Sequence, residues 1–162
     1  MASIIKVDTI QTSAGGTPTA ADLGINTTGT VLQVVQGTGT TVTTVTSANA
    51  WTTTDASVTI TPSSASSKIY IVHTAGGLSS TSNSDIGLRI QRSGTTIYEA
   101  DRFMYSNTST WVPLNWAIHY LDSPSTTSAI TYTLDIDKSS SSGEIRHSDT
   151  SRWVFTAMEI AG

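Results

Sequence analysis

From residue 31 to the end of the chain, apolar and polar side chains alternate in short bursts that match the two-residue repeat of a β-strand. In AITYTLDID, Ile130, Tyr132, Leu134 and Ile136 fall on one face, and Thr131, Thr133, Asp135 and Asp137 on the other. In DIGLRIQ, Ile86, Leu88 and Ile90 alternate with Asp85, Gly87, Arg89 and Gln91. The pattern predicts strands over residues 31–36, 41–46, 57–61, 68–74, 85–91, 95–100, 112–121, 130–137, 144–147 and 152–160. KIYIVHT and NWAIHYL are apolar on both faces, so they are expected between two layers or against another subunit. Polar turns separate the runs. Pro62 stops one strand, and RSGTT around Gly94 and SSSSGE before Ile145 read as hairpin turns. Short strands at this spacing, with no amphipathic helix, imply an all-β fold: an antiparallel β-sandwich of the jelly-roll kind.

Residues 1–30 follow a different pattern. Ile4, Ile5, Val7 and Ile10 make a brief β-prone stretch, and QTSAGGTPTAADLGINTTGT after it is rich in Gly, Thr and Ala. One helical turn is expected around residues 20–23, behind Thr19 as a cap. The segment has too few apolar residues for a core, so it reads as an extended arm reaching up to roughly 100 Å. The chain therefore divides into an arm, residues 1–30, and a head, residues 31–162.

Composition narrows the partners. Ser and Thr make up 54 of the 162 residues, and charged residues only 12%, about half the usual share of roughly 25%. Threonine suits both a strand and a wet surface, so such a head stays soluble with little charge. The formal net charge is −4 and no Lys/Arg cluster occurs, which argues against nucleic acid and against anionic lipid as partners. No cysteine is present, so disulfides, thiolate metal sites and thiol nucleophiles are excluded. No run approaches the 18 apolar residues of a membrane-spanning helix, so no membrane insertion is expected. The opening MASIIKVDTIQTSAGG lacks the apolar core of a signal peptide.

Catalytic chemistry finds little support. His73, His119 and His147 stand far apart without metal-ligand spacing; His119, inside NWAIHYL, is expected in the core or an interface. There is no GxSxG elbow and no phosphate-binding glycine loop. Asp135, Asp137 and Glu144 flank a turn but read as solvated strand residues rather than calcium ligands. The expectation is no catalytic residue, no metal and no cofactor. The aromatic residues carry more. Trp116, Tyr120 and Trp153 lie inside apolar strand patterns and are expected to pack in the core. Phe103, Tyr105 and Trp111 surround EADRFMYSNTST, expected to be irregular, and are the candidates for a receptor or partner surface.

Four blocks carry a resemblance: IIKVDTIQTSAGG, SVTITPSSASSKIYI, HYLDSPSTTSAITYTLDI and the ending FTAMEIAG. Together they resemble short virion structural proteins of tailed bacteriophages, a type common among phages of cyanobacteria and marine bacteria. The resemblance covers nearly the whole chain. It implies a jelly-roll head similar to the C1q and tumour-necrosis-factor type, assembled as a homotrimer on the virion exterior. Such proteins serve as capsid decoration (cement) proteins, short head fibres or tail-fibre components, made in the host cytoplasm and released by lysis. The implied partners are other copies of the chain and phage capsid or tail proteins. A host-surface glycan joins them if the chain is a fibre. Under this resemblance Ile4, Ile5, Val7 and Ile10 would dock the arm by strand addition. Trp116, Ile118, Tyr120, Phe155 and Met158 would supply core and trimer packing.

Overall fold

The computed structural model describes residues 9–18, 23, 28–80, 83–107, 111, 114–140, 144–148 and 152–162. Ten strands occur among them: β1 (Val31–Gly39), β2 (Thr43–Val45), β3 (Thr52–Ile60), β4 (Lys68–Ser80), β5 (Asn83–Arg92), β6 (Thr95–Asn107), β7 (Leu114–Asp122), β8 (Ile130–Lys138), β9 (Ile145–His147) and β10 (Trp153–Ile160). All ladders are antiparallel. One sheet runs β1-β10-β4-β7 and the other β3-β8-β5-β6. The chain passes repeatedly from one sheet to the other, which makes the head an all-β jelly-roll sandwich, as the alternation predicts. A small ribbon of β2 and β9 joins the first sheet through Ser79 and Ser80, at the far end of β4.

The inward positions are those with period-two apolar marks. Ile69 and Ile71 of β4, Phe155 and Ala157 of β10, and Ile118 of β7 face Ala56, Val58 and Ile60 of β3, Ile86, Leu88 and Ile90 of β5, and Leu134 and Ile136 of β8. All are buried. Each aliphatic side chain fully removed from water contributes about 1.5–3 kcal/mol, so this shared layer holds the two sheets face to face. Glycine permits one close approach at the side. A Cβ at Gly37 would run into the Ser57 carbonyl oxygen, so only glycine lets β1 pass so near β3. The β5–β6 turn uses Ser93 and Gly94 at φ 47° and 86°, the two positive values that a tight hairpin matched to strand twist requires.

Strand boundaries depart from the sequence expectation at several places: β4 runs to Ser80 rather than 74, and β6 and β3 differ most in character. EADRFMYSN is not irregular: β6 continues to Asn107, paired with β5 from Thr95↔Arg92 to Asn107↔Asn83. Register shifts between Ile86 and Leu88 and between Ile90 and Gln91 break the alternation, which is why the pattern does not look like a strand. β3 begins at Thr52, in a run of threonines that carries no apolar mark. The helical turn expected at 20–23 and the docking residues Ile4, Ile5 and Val7 fall outside the described residues, Leu23 excepted. Of the arm's apolar tip, Ile10 is described and is 53% exposed. The start of the head is stitched to its last residues: Gly29 donates to the Ala161 carbonyl and Ala161 to that of Thr30, both at 2.8 Å.

Candidate functional site

Residues directly opposite one another on paired strands share a face, so the register defines what each sheet shows to the outside. On the β1-β10-β4-β7 sheet one outer row reads Val34, Met158, Tyr70, Leu121. The rows beside it are mixed: Gln36, Thr156, Val72 and His119, then Thr38, Val154, Thr74 and Ala117. Val31 and Ile160 extend the apolar surface at one edge. Val34 is 56% exposed and Leu121 47%, while Met158, Tyr70 and Val72 are half-buried by their neighbours alone. This is an apolar patch across four strands, of the kind that marks an interaction surface. The other sheet is its opposite. Its outer rows read Thr53, Asp135, Arg89, Glu99, then Ser57, Thr133, Gln91, Thr96. Arg89 Nε binds Asp135 Oδ2 at 2.7 Å, and the Trp51 ring lies 4.7 Å beneath the Arg89 guanidinium.

The sequence candidates separate on this frame. Ile118 and Phe155 are in the core; Trp116 and Tyr120 are half-buried against it. Met158 is on the outer apolar face rather than in the core, because it follows Ala157 on a strand whose odd positions point inward. The three receptor-surface candidates do not share a surface. Phe103 turns inward and meets Trp116 edge-on at 5.5 Å. Trp111 is half-buried under the Arg146 guanidinium, 4.2 Å from its ring. Tyr105 is 60% exposed and donates to Asn83 Oδ1 at 2.7 Å. Asp135 is buried in its ion pair and Asp137 accepts from the Ala50 N–H at 2.8 Å, so neither is the solvated strand residue expected. A hollow of about 250 Å³ beside Asp137 is lined by Asp85, Asp101 and Arg102, with Arg102 3.3 Å from Asp85. Among the described residues no group of three or more acidic or imidazole side chains is placed to hold a metal.

Of the core or interface positions expected for His119, the core is excluded: it is exposed on the outer face of β7, beside the Tyr70–Leu121 row. His73 and His147 are the core histidines, both fully buried. Their Nε2 atoms stand 3.1 Å apart, so one ring donates and the other accepts. Phe155, Trp116 and Trp153 surround His73 at ring distances of 5.0, 5.0 and 6.4 Å. Burial, and then the neighbouring His147, push His73 down to about 3; burial pushes His147 down to about 4, against a pull upward from Asp55. Both are therefore neutral at pH 7. A sequence signal existed, since His73 follows Ile69 and Ile71 at inward spacing and His147 follows Ile145.

Two other buried polar networks brace the opposite end. Burial alone would raise Glu159, but bonds from Gln33 and from the Ser63 hydroxyl and N–H hold it at about 2. Asp122 receives Arg92 Nη1 at 2.9 and 3.0 Å and the Tyr132 hydroxyl at 2.8 Å. Burial, and after it the Asp122 acceptor, raise the Tyr132 phenol far above its ordinary value.

No family model matches this chain, and no curated protein matches it. Among solved structures, one titled "Structure of infectious bursal disease virus Gx strain" is 19% identical with a TM-score of 0.43, covering 82% of this chain. The match takes in 33% of that chain, so the present protein spans about a third of its length.

Proposed function

We propose that this chain is a non-enzymatic structural protein on the exterior of a tailed-phage virion, a homotrimeric capsid decoration protein anchored by its N-terminal arm. The observation that carries the reading is the contrast between the two outer faces. Val34, Met158, Tyr70 and Leu121 form an apolar row on one sheet, whereas the outward rows Thr53, Asp135, Arg89, Glu99 and Ser57, Thr133, Gln91, Thr96 on the other sheet include no aliphatic side chain. A closed three-fold ring would remove the apolar face from water and leave the Thr-rich sheet outside. The arm, with Ile4, Ile5, Val7 and Ile10, then adds to capsid strands, and three arms on one trimer hold by avidity. The resemblance to phage virion proteins supplies the setting: synthesis in the host cytoplasm and release by lysis.

A second reading, a short head or tail fibre that binds a host glycan, is favoured by the exposed Tyr105 ring and the Trp111–Arg146 stack near it in sequence. Quantitative mass spectrometry of virions separates the two. A copy number comparable to the major capsid protein supports decoration, and a few tens of copies or fewer supports a fibre. Deleting residues 1–30 is expected to abolish incorporation while leaving the head folded. A truncated chain that still loads onto virions contradicts the anchoring role.

A further inference from the structure

The buried histidine pair has no place in a purely structural account of the head. A core position can be filled by an aliphatic residue at no polar cost, yet two imidazoles meet here between the sheets. Their shared bond uses one nitrogen of each ring. Nδ1 of His73 and Nδ1 of His147 have no hydrogen-bond partner among the described residues. The pair is thus tolerated only while neutral, and a third proton has nowhere favourable to sit. The accepting ring already carries its one proton on Nδ1, so an added proton on the donating ring's Nδ1 creates an imidazolium enclosed by Trp116, Trp153 and Phe155. If both Nε2 atoms carry protons, the rings repel at 3.1 Å.

The two rings belong to parts of the fold with unequal support. His73 is in the middle of the β10-β4-β7 ladders. His147 is on β9, three residues long, which pairs with the three residues of β2 and with two residues of β4. Apart from His147, the ribbon's buried side chains are Val45 and Ile145. We propose that the His73–His147 contact is an acid-released latch, holding the β2–β9 ribbon on the sandwich at neutral pH and freeing it when the surroundings turn acidic. Lifting the ribbon hydrates His147 and opens the Nε2 edge of His73, so both can take protons.

The neighbouring charges do not neutralise the protonated pair. Asp55 on β3 pulls His147 upward, but it already accepts the Trp153 indole N–H at 3.1 Å. On β9 itself Arg146 binds Glu144 at 2.6 Å, and Glu144 also acts on Lys138 of β8. β2 has no ionisable residue; β7 and β10 meet the pair with Trp116, Trp153 and Phe155, and Phe103 of β6 packs on Trp116. Arg152 precedes β10 and is exposed, and His119 points out from β7. Each proton taken up only by the open form shifts the equilibrium about tenfold per pH unit, so two protons shift it about a hundredfold.

The test is hydrogen exchange of the full chain between pH 7 and pH 4, corrected for intrinsic exchange rates. Protection of residues 43–45 and 145–147 is expected to fall by at least about tenfold per pH unit below 6.5, while β5 and β8 amides keep theirs. In His147→Phe, an uncharged ring of similar shape, only the His73 proton remains, so the fall per pH unit should be about half as steep on a logarithmic scale or less. The proposal is overturned if ribbon and core lose protection together, or if the ribbon stays protected down to pH 4. Should His147→Phe fail to fold, the wild-type exchange profile decides alone. This inference does not depend on where the protein sits in a virion.

Discussion

The two outer faces of the sandwich are built on similar strands and the same pleat, yet they carry opposite chemistry. Beside polar positions such as Gln36, Thr156 and His119, the β1-β10-β4-β7 face carries valine, methionine, tyrosine, leucine and isoleucine, where the β3-β8-β5-β6 face has threonine, serine, glutamine and ion pairs. Both sheets bury an equally apolar inner face, so the difference is not a requirement of the fold. A sheet that needs only to cover a core can be wet on its other side, as the second sheet is. An apolar outer side costs solubility unless something covers it. In the proposed function the asymmetry concerns assembly, while the inner layer concerns folding.

The comparison is most severely strained by a charge on the apolar row. Met158→Lys points outward and leaves the core untouched, so the head should keep its melting behaviour. Its self-association should weaken by about 10²-fold or more, because an unpaired buried charge costs about 3–5 kcal/mol. Sedimentation velocity across a concentration series reads this directly. Acid is the next largest perturbation. Both core histidines are depressed below the ordinary value of 6.5, so their contribution is complete above pH 6.5 and drains as pH falls. Two protons cost about 3 kcal/mol per pH unit until the folded chain itself titrates, near 4 for His147 and 3 for His73. Urea midpoints between pH 7 and pH 5 should show this loss, and His147→Phe should roughly halve it or better. Glu159 has the same sign in a lower window: its stabilisation is full above about 4.5 and disappears only as pH falls through about 2. Loss in mild acid thus belongs to the histidines.

Glu159→Gln at neutral pH should cost about 2 kcal/mol in urea denaturation, since it weakens charge-assisted bonds from Gln33 and Ser63 in a buried place. The smallest effect is expected on the wet face. Thr59→Lys loses one exposed hydroxyl contact to Thr131 at 2.8 Å and should change stability by less than about 0.5 kcal/mol. Its association state should match that of the unaltered chain. If it disrupts assembly as Met158→Lys does, the two faces are not distinct in the way described.

The strands were legible because one inward face imposes alternation, and Ile130, Tyr132, Leu134 and Ile136 show it without interruption. Legibility failed where register shifts. In β6 the bulges opposite Ile86 and Ile90 scramble the faces, so Phe103 looked like a loop residue although it packs on Trp116. β3 was half-missed because Thr52 and Thr53 are bonded to β8 by backbone, which leaves no apolar trace. The apolar outer face was partly visible, as side chains on both faces of KIYIVHT and NWAIHYL. Assigning Met158 to it rather than to the core required the register. The histidine pair was not legible as a pair, since its members are 74 residues apart and meet only once β9 closes on β4. The spacing of each to inward isoleucines was the available signal.

The account rests most heavily on the apolar face being covered by other copies of the chain. Sedimentation equilibrium of the full chain at micromolar concentration tests that with no virion present. The account predicts a species of three times the monomer mass, returned to monomer by Met158→Lys and unchanged by Thr59→Lys. A monodisperse monomer for the unaltered chain would contradict it.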